Sequence, residues 1–259
     1  KNQRYEAAPV FANGRFPDMT EKMVAAVRTM FQRWDQKMDK GDPVDINLET
    51  MWYALDVALR NFFFLFRPHI AHGVQEHLGN LLREAEGRIW SFFKLPQKMA
   101  MKLPKYKKSL SFLNDITTEL ILERKTSGVY PDDLLTRAIQ SCDGSAASRK
   151  ILQDKVMSYL TSAHETTANA MAWVWFELAQ RPEILRQVVA EVDRVLDGRD
   201  PTYEDVKNLK YTWAVFEETL RLYPPVWTMS REAQTEDHIP LDDGRKLRVK
   251  KGDTIMLSP

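Results

Sequence analysis

The feature that most constrains this fold is one long segment whose hydrophobic residues point in nearly every direction of a helix. From Val156 to Phe176 the sequence is apolar on almost all sides when it is wound as an α-helix. Such a helix has to be surrounded by other elements, because exposing it to water is costly. The pattern therefore predicts a helix over about residues 148–180 that runs through the centre of the protein.

Four of the polar residues inside this segment share one side of the helix. At positions i, i+3, i+4 and i+7 they are Ser162, Glu165, Thr166 and Asn169. Burying a carboxylate without a partner costs roughly several kcal/mol, so this stripe is expected to face a cavity, water or a cofactor. In a simpler alternative, Thr166 and Thr167 hydrogen-bond to the preceding turn and Glu165 reaches out to solvent.

Metal and nucleotide sites fit the sequence less well. His164-Glu165 could begin a zinc-protease motif, but Ala168 stands where the second histidine ligand is needed. The histidines that could gather a metal elsewhere are His69, His72 and His77. A helix face or loop that presents them to solvent is the favoured interpretation. None of the ten glycines forms a GxGxxG or phosphate-loop motif, which excludes the usual nucleotide enzymes.

Composition excludes further classes. The 37 Lys and Arg residues balance 36 Asp and Glu residues, so there is no electrostatic reason to expect a nucleic-acid partner. The single cysteine, Cys142, allows no internal disulfide and is expected to be a free thiol with no disulfide-linked partner. The longest apolar runs are too short to span a bilayer, so the visible chain is expected to be soluble and cytoplasmic.

The chain is expected to be an internal piece of a longer polypeptide. It starts at Lys1 without an initiator Met, and Arg4-Tyr5-Glu6 follows without a helix-starting signal. An N-terminal membrane anchor outside this piece therefore stays open. No repeat or flexible linker interrupts the sequence, so residues 1–259 are predicted to form one partial domain.

Helical spacing continues on both sides of the long segment until about residue 225. Helices are predicted from Asp18 onward, over Leu48 to Phe66, Ala71 to Phe93, Ser109 to Lys125 and Leu185 to Leu196, and finally over Asn208 to Leu222. The period then changes to that of strands, at about residues 238–258. A hairpin is predicted from residues 238–241 and 246–249, followed by a last strand, residues 254–257, that has no partner. The fold class is mainly α with a small C-terminal β region.

A second informative motif lies in the last predicted helix. Glu218 and Arg221 are three residues apart, with the acid on the N-terminal side, which permits an ion pair of roughly 0.2–0.5 kcal/mol if it is exposed. The neighbours of the pair around the helix are Ala214, Val215 and Leu222. Because these neighbours are apolar, the pair is predicted to be partly buried.

The two motifs together resemble the central signatures of the cytochromes P450 in order, spacing and helical context. They are Ser162-Ala163-His164-Glu165-Thr166-Thr167 and, about fifty residues later, Glu218-Thr219-Leu220-Arg221-Leu222-Tyr223-Pro224-Pro225. The resemblance extends over the whole chain, from the end of the family's helix C to the strands after helix K. Residues 148–180 would be helix I, and residues 208–222 would be helix K.

This resemblance implies a haem-dependent monooxygenase that inserts one oxygen atom from O2 into an apolar organic substrate. Its cofactor would be haem (iron protoporphyrin IX), and electrons would come from NAD(P)H through a reductase or ferredoxin partner. The family's iron ligand is a cysteine thiolate, and Cys142 does not match its position. The ligand is therefore expected outside the chain, and the chain alone is expected to be inactive. The alternative is a non-catalytic helical scaffold or a degenerate remnant of the family.

The resemblance also assigns residues near the haem. In this family an acid and a threonine of helix I organise the water that protonates bound dioxygen, and the matching candidates for catalysis are Glu165 and Thr166. Arg4 and Arg231 match basic residues that pair with the haem propionates, although either could be a solvated arginine. Ala163 lies in the cofactor-binding part of the helix. The family commonly has a glycine at this position, which helps the helix widen locally to admit oxygen.

Two further groups of residues follow from the same resemblance. The Glu218–Arg221 pair matches the family's structural ion pair, which stabilises the core and takes no part in turnover. The residues expected to line the substrate pocket are Tyr159, Ser162, Val226 and Trp227. An apolar residue at such a position is as often part of the ordinary core.

Overall fold

The computed structural model describes residues 2–65, 68–90 and 103–258, and it is mainly α-helical, as predicted. The helices are α1 (Asn2–Ala7), α2 (Phe16–Met38), α3 (Ile46–Phe62), α4 (Pro68–Trp90), α5 (Pro104–Ser127), α6 (Leu134–Gln140), α7 (Ala146–Gln180), α8 (Pro182–Leu196) and α9 (Lys210–Leu222). The strands are β1 (Met229–Glu232), β2 (Asp237–Pro240), β3 (Lys246–Val249) and β4 (Thr254–Leu257). Short 3-10 turns occupy residues 8–11, 13–15 and 203–205.

Side-chain caps fix where several helices begin. Asp45 accepts a hydrogen bond from the Leu48 amide at the start of α3, and Ser145 accepts one from the Ser148 amide at the start of α7. The predicted bounds of α7 are therefore right to within two residues. The start of α9 was predicted equally closely, since the helix begins at Lys210 and the prediction was Asn208. The predicted end of α4, at Phe93, lies outside the described residues.

The core is built around the first half of α7. Buried residues on α7 recur every fourth position as Leu152, Val156, Leu160, His164 and Ala168. Helix α3 lies along α7, and α5 and α6 pack against it as well. The apolar cluster that joins these helices and α4 includes Leu55, Leu59, Val74, Leu113 and Leu135, each no more than 1% exposed. This half of the helix is central, as the all-round apolar sequence predicted.

The second half of α7 departs from that prediction. Trp173, Trp175 and Phe176 are 38%, 37% and 51% exposed, although α8 and α9 also pack against this part of the helix. Within the described part of the chain, these neighbours leave the aromatic side of α7 partly uncovered. Apolar composition predicted burial here, but burial depends on which elements come to cover a side chain.

Helices α4 and α5 are held at close range by an interlock of a glycine and an aromatic ring. A Cβ atom added to Gly73 would lie only 2.4 Å from Cζ of Phe112. One turn further along α4, Nδ1 of the buried His77 lies 3.0 Å from Oγ of Ser109. His77 therefore has a partner in the core and is not presented to solvent. The side chains of His69 and His72 lie outside the described residues.

The β region contains the predicted hairpin and one unexpected strand. Strands β2 and β3 pair antiparallel, with Ile239 opposite Leu247. The prediction that β4 has no partner is wrong, because β4 pairs antiparallel with β1, with Ser230 opposite Met256. Strand β1 escaped prediction because all four of its residues are exposed, so its sequence lacks the alternation of a half-buried strand. Among the described residues, no helix has the length and apolar character needed to cross a membrane.

Candidate functional site

Glu165 and Thr166, which are adjacent in the middle of α7, have different surroundings. Thr166 is exposed, and its hydroxyl donates a hydrogen bond to the Ser162 carbonyl at 3.3 Å. This is the bond to the preceding turn that the simpler interpretation predicted. It is long for a bond from a hydroxyl, so it holds the side chain only weakly. Ser162 is exposed beside it, and the small Ala163 is half-buried.

Glu165 is half-buried and lines a pocket of mixed polar and apolar character between α3, α4 and α7. The pocket has a volume of about 400 Å³. Its polar lining includes Asn47 of α3 together with Gln75, Glu76 and Arg83 of α4. The acid therefore has polar surroundings, as the sequence predicted for the stripe. Its neighbours on α3 and α4 could not be identified from the sequence, because they come from distant parts of the chain.

His164 occupies the buried side of the same helix turn. It is 2% exposed, and neither ring nitrogen has a hydrogen-bond partner within the part of the chain that the structure describes. Burial lowers the pKa of His164 from 6.5 to about 4, so the imidazole is neutral at pH 7. No group of described histidine, cysteine or acidic residues is arranged to hold a metal ion.

The end of α9 is fixed to the second half of α7 by an aromatic stack. The rings of Trp173 and Tyr223 are parallel to within 2°, with centroids 3.9 Å apart. The Tyr223 hydroxyl also donates a hydrogen bond to Oε1 of Glu177 at 2.7 Å. This junction positions the segment after α9, which carries Val226 and Trp227. The sequence signal for it was Tyr223 itself, next to two prolines that end the helix.

The predicted substrate-side residues lie in contrasting environments. Val226 and Trp227 are 55% and 52% exposed, in the segment between α9 and β1. Tyr159 is half-buried and packs against the apolar cluster of the core and against a second cluster of Val10, Met19 and Leu134. Burial raises the pKa of its phenol. Tyr159 is therefore at least partly an ordinary core residue. The substrate role of all these residues stays a prediction.

The ion pair in α9 forms, but in an environment that differs from the prediction. Nε and Nη2 of Arg221 donate to the two carboxylate oxygens of Glu218 at 2.7 and 2.6 Å. The side chains are 67% and 55% exposed, so the prediction of partial burial is wrong for the described chain. The apolar neighbours Ala214 and Leu222 are themselves exposed, which is why they do not shield the pair.

The two arginines that the resemblance assigns to the haem propionates are Arg231 and Arg4. Arg231 is exposed on β1, where its guanidinium donates to the neighbouring Ser230 carbonyl at 2.9 Å. Among the described residues no carboxylate forms an ion pair with it. Arg4 belongs to α1, and its side chain lies outside the described part of the structure.

Cys142 lies far from the Glu165–Thr166 region. It is a free thiol in the turn before α7, where the Ser148 hydroxyl hydrogen-bonds to its sulfur at 2.8 Å and lowers the pKa of the thiol. Ser148 and Thr166 are separated by 18 residues of one helix, or about 27 Å at 1.5 Å per residue. The chain's single cysteine is therefore unable to reach the side of α7 where Thr166 lies.

The two sequence motifs, the adjacent acid and threonine of α7 and the Glu218–Arg221 pair of α9, lie on helices that pack against each other. The family profile described as Cytochrome P450 matches residues 1–259, and the chain belongs to this family. Membership confirms the resemblance drawn from the two motifs.

Two of the chain's relatives are named as oxygenases. It is 31% identical to cyclooctat-9-en-7-ol 5-monooxygenase of Streptomyces melanosporofaciens, over 92% of this chain and 52% of the relative. It is 32% identical to pentalenene oxygenase of Streptomyces avermitilis, over 100% of this chain and 56% of the relative. The protein LUTEIN DEFICIENT 5, chloroplastic, of Arabidopsis thaliana is 28% identical over 93% of this chain and 44% of its own length. The chain thus spans about half the length of these relatives.

Proposed function

We propose that the intact protein that contains this chain is a haem-dependent monooxygenase. It would insert one oxygen atom of O2 into an apolar organic substrate and reduce the other to water. This reaction consumes two electrons and two protons, and the electrons would come from NAD(P)H through a reductase or ferredoxin. The observation that carries the proposal is the position of the adjacent Glu165 and Thr166 on α7, where the acid lines a pocket and the hydroxyl is exposed.

The described residues fit one side of a haem site. Haem would supply the iron at which O2 is bound and reduced. Ser162 and Thr166 are exposed on α7, and Ala163 between them has only a methyl side chain, which would leave room for a flat group beside the helix. Arg231 and Arg4 would pair with the haem propionates, for which the guanidinium fork is well suited. The residues present do not include the thiolate ligand, since Cys142 is too distant, so the chain by itself is expected to be inactive.

Glu165 and Thr166 would handle the protons. A carboxylate beside a pocket that admits water can accept a proton from water and pass it on, as a general base and then a general acid. The Thr166 hydroxyl donates its hydrogen to the Ser162 carbonyl, so its lone pairs remain available to accept a hydrogen bond from a water molecule. Thr166 would therefore hold the water through which the proton travels.

The substrate class follows from the exposed apolar side chains and from the names of the relatives. Val226 and Trp227 present apolar surface after α9. Two relatives are named for pentalenene and cyclooctat-9-en-7-ol, and both names denote unsaturated, hydrocarbon-rich molecules. An apolar organic substrate of this kind would bind by burial of its hydrocarbon surface.

The proposal is tested first by haem ligation and then by coupling. The full-length gene product should bind haem and show the absorbance of a thiolate-ligated, carbon monoxide-bound haem after reduction; absence of that band would refute the proposed enzyme. In that protein, Thr166→Ala should lower the fraction of consumed electrons that appear as product by about tenfold or more. The matched control is Thr161→Ala, because Thr161 lies on the same helix and bonds to the Met157 carbonyl in the same way. Equal coupling in the two variants would remove Thr166 from the mechanism.

A non-catalytic scaffold is the second candidate, and one observation favours it. The hydrogen bond of Thr166 to its own helix is what a purely structural threonine would make. The carbon monoxide spectrum separates the two candidates, because a scaffold without an iron ligand would not show the thiolate band.

A further inference from the structure

Helix α9 ends against the side of α7 that carries Thr166. At about 3.6 residues per turn, Trp173 and Glu177 lie within about 20° of Thr166 around the helix, about two and three turns further along. Trp173 stacks on Tyr223, and Glu177 accepts the hydrogen bond from the Tyr223 hydroxyl. Along the axis, Trp173 is about 10 Å from Thr166. The chain that leaves α9 therefore starts from the side of α7 where the proposed reaction takes place.

The contact at Tyr223 has two parts with different chemistry. The parallel stack on Trp173 is an apolar contact, and two flat rings at this spacing can slide over each other at little cost. The hydroxyl prevents that sliding, because its distance of 2.7 Å to Oε1 of Glu177 is that of a strong bond to a carboxylate. Glu177 is itself fixed, since it is only 9% exposed and its other oxygen pairs with Arg181. One hydroxyl therefore sets where Tyr223 lies on α7.

The segment after Tyr223 takes its position from this contact. Pro224 and Pro225 have a fixed φ and no amide hydrogen, so they add stiffness but no backbone donor that would hold the segment elsewhere. Val226 is three residues from Tyr223, and its Cα therefore lies within about 11 Å of the tyrosine Cα. At the other end of the segment, the Thr228 hydroxyl donates to the Leu257 carbonyl at a longer 3.3 Å. Of these two side-chain bonds, the one at Tyr223 is the stronger.

We propose that Tyr223 and Glu177 determine the shape of the substrate pocket, because they fix where Val226 and Trp227 lie relative to Thr166. The inference rests on the proposed function, since it needs a substrate on that side of α7. An apolar substrate offers few groups for directional hydrogen bonds, so the place of the pocket wall decides how it is oriented. A misplacement of about 1 Å is enough to change a rate by about a hundredfold. Tyr223 and Glu177 act only through the segment and are positioning residues.

The first test follows Trp227 in the 259-residue chain. Incorporation of 5-fluorotryptophan gives one fluorine NMR resonance for each of the seven tryptophans, and Trp227→Phe assigns the resonance of interest. Tyr223→Phe keeps the ring that stacks on Trp173 and removes only the hydroxyl. The Trp227 resonance should then shift or broaden. The matched control is Tyr211→Phe, which removes a hydroxyl at the other end of α9 and should leave the resonance unchanged.

The second test compares two ligands in the full-length haem protein. Imidazole and 4-phenylimidazole both bind haem iron through a ring nitrogen, and the accompanying absorbance shift gives each dissociation constant. Only the phenyl ring adds contact with the pocket wall. Tyr223→Phe should therefore weaken 4-phenylimidazole relative to imidazole by about threefold or more. Val226→Ala should do the same directly, whereas Tyr211→Phe should leave the ratio of the two constants as in the parent protein.

Variants of Glu177 separate positioning from mere support of the fold. Glu177→Gln keeps an acceptor oxygen for Tyr223 and should keep the parent ratio, whereas Glu177→Met removes the acceptor and should shift the ratio as Tyr223→Phe does. The double variant of Tyr223→Phe and Glu177→Met should shift it no further, because both changes break one bond. A purely structural role would lower the unfolding temperature in these variants without moving the ratio.

The inference is overturned if the Trp227 resonance is the same in Tyr223→Phe and the parent chain, or if Tyr211→Phe shifts it equally. A ratio that stays at the parent value in both Tyr223→Phe and Glu177→Met overturns it as well, as does a ratio unmoved by Val226→Ala. In a protein with normal thiolate absorbance, each of these results leaves the proposed function standing. Failure to find that absorbance would instead refute the proposed function, whatever the fluorine spectra.

Discussion

The two halves of α7 have similar apolar composition but very different surroundings. The first half buries Leu152, Val156 and Leu160 against other helices, whereas the second exposes Trp173 and Phe176. Glu165 and Thr166 lie where one half passes into the other. A candidate catalytic pair at this point is held by a rigid, packed segment on one side and borders open space on the other. One continuous helix therefore contributes both to the packed core and to a partly exposed surface.

The largest expected difference in stability is between a variant that loses an apolar side chain from the first half of α7 and one that loses it from the second half. Leu160→Ala removes a side chain that is 2% exposed, and the cavity should destabilise the protein by about 2–5 kcal/mol. Phe176→Ala removes a ring that is 51% exposed and makes one edge contact with Trp173, so its cost should be about 1 kcal/mol. Urea denaturation of the two variants measures both values. Equal losses would show that the second half is as well buried as the first.

The pH dependence of stability tests the burial of His164, which lies where the two halves of α7 meet. Its folded-state pKa of about 4 lies below the ordinary value of 6.5, so protonation favours the unfolded chain. The stability conferred by the neutral ring is complete above pH 6.5 and falls as the pH drops from 6.5 toward 4, by up to about 3 kcal/mol.

Denaturation between pH 7 and pH 4 checks this expectation. His164→Leu should flatten the dependence in this range, while His238→Leu, at an exposed strand residue, should leave it as in the parent chain. If the stability of His164→Leu still falls steeply between pH 7 and pH 4, the loss of stability comes from groups other than His164.

Ion pairs should give the smallest difference in stability, between two lysines of the first half of α7. Nζ of Lys155 is 2.6 Å from Glu6 and 2.9 Å from the Ser141 hydroxyl, and the lysine side chain is only 9% exposed. Lys155→Met would leave Glu6, which is 28% exposed, without this partner, at a cost of about 1–2 kcal/mol after allowance for solvent screening.

Lys150→Met is the control. It breaks the Lys150–Asp154 pair, whose side chains are 63% and 62% exposed, and should change stability by no more than about 0.5 kcal/mol. Thermal or urea unfolding of both variants decides the comparison. Similar effects would mean that burial does not distinguish these lysines.

Local sequence patterns predicted the helices well, because their periodicity and capping residues are properties of short segments. Helix α7 was predicted over about residues 148–180 from its apolar pattern, and it runs from Ala146 to Gln180 with Ser145 capping its start. Strand β1 was missed because its four exposed residues carry no alternation, and its partner β4 lies more than twenty residues away. A strand of this kind becomes recognisable only when its partner is known.

The candidate site was predicted in part. Glu165 and Thr166 follow from the motif, and the polar stripe they belong to does lie on the less buried side of α7. The lining of the pocket could not be predicted, because Gln75 and Arg83 approach Glu165 only through the packing of α4 against the rest of the core. The exposure of Glu218 and Arg221 was missed for a similar reason: flanking apolar residues do not reveal whether another element covers them.

The interlock between Gly73 and Phe112 also has an evolutionary consequence. With only 2.4 Å between the ring and the place of a missing Cβ, neither position is free to change alone in the direction of greater size. Across related sequences, a side chain at position 73 should therefore occur mainly where position 112 has lost its ring. The pair would then leave a record of this helix contact in the covariation of two residues that are 39 positions apart.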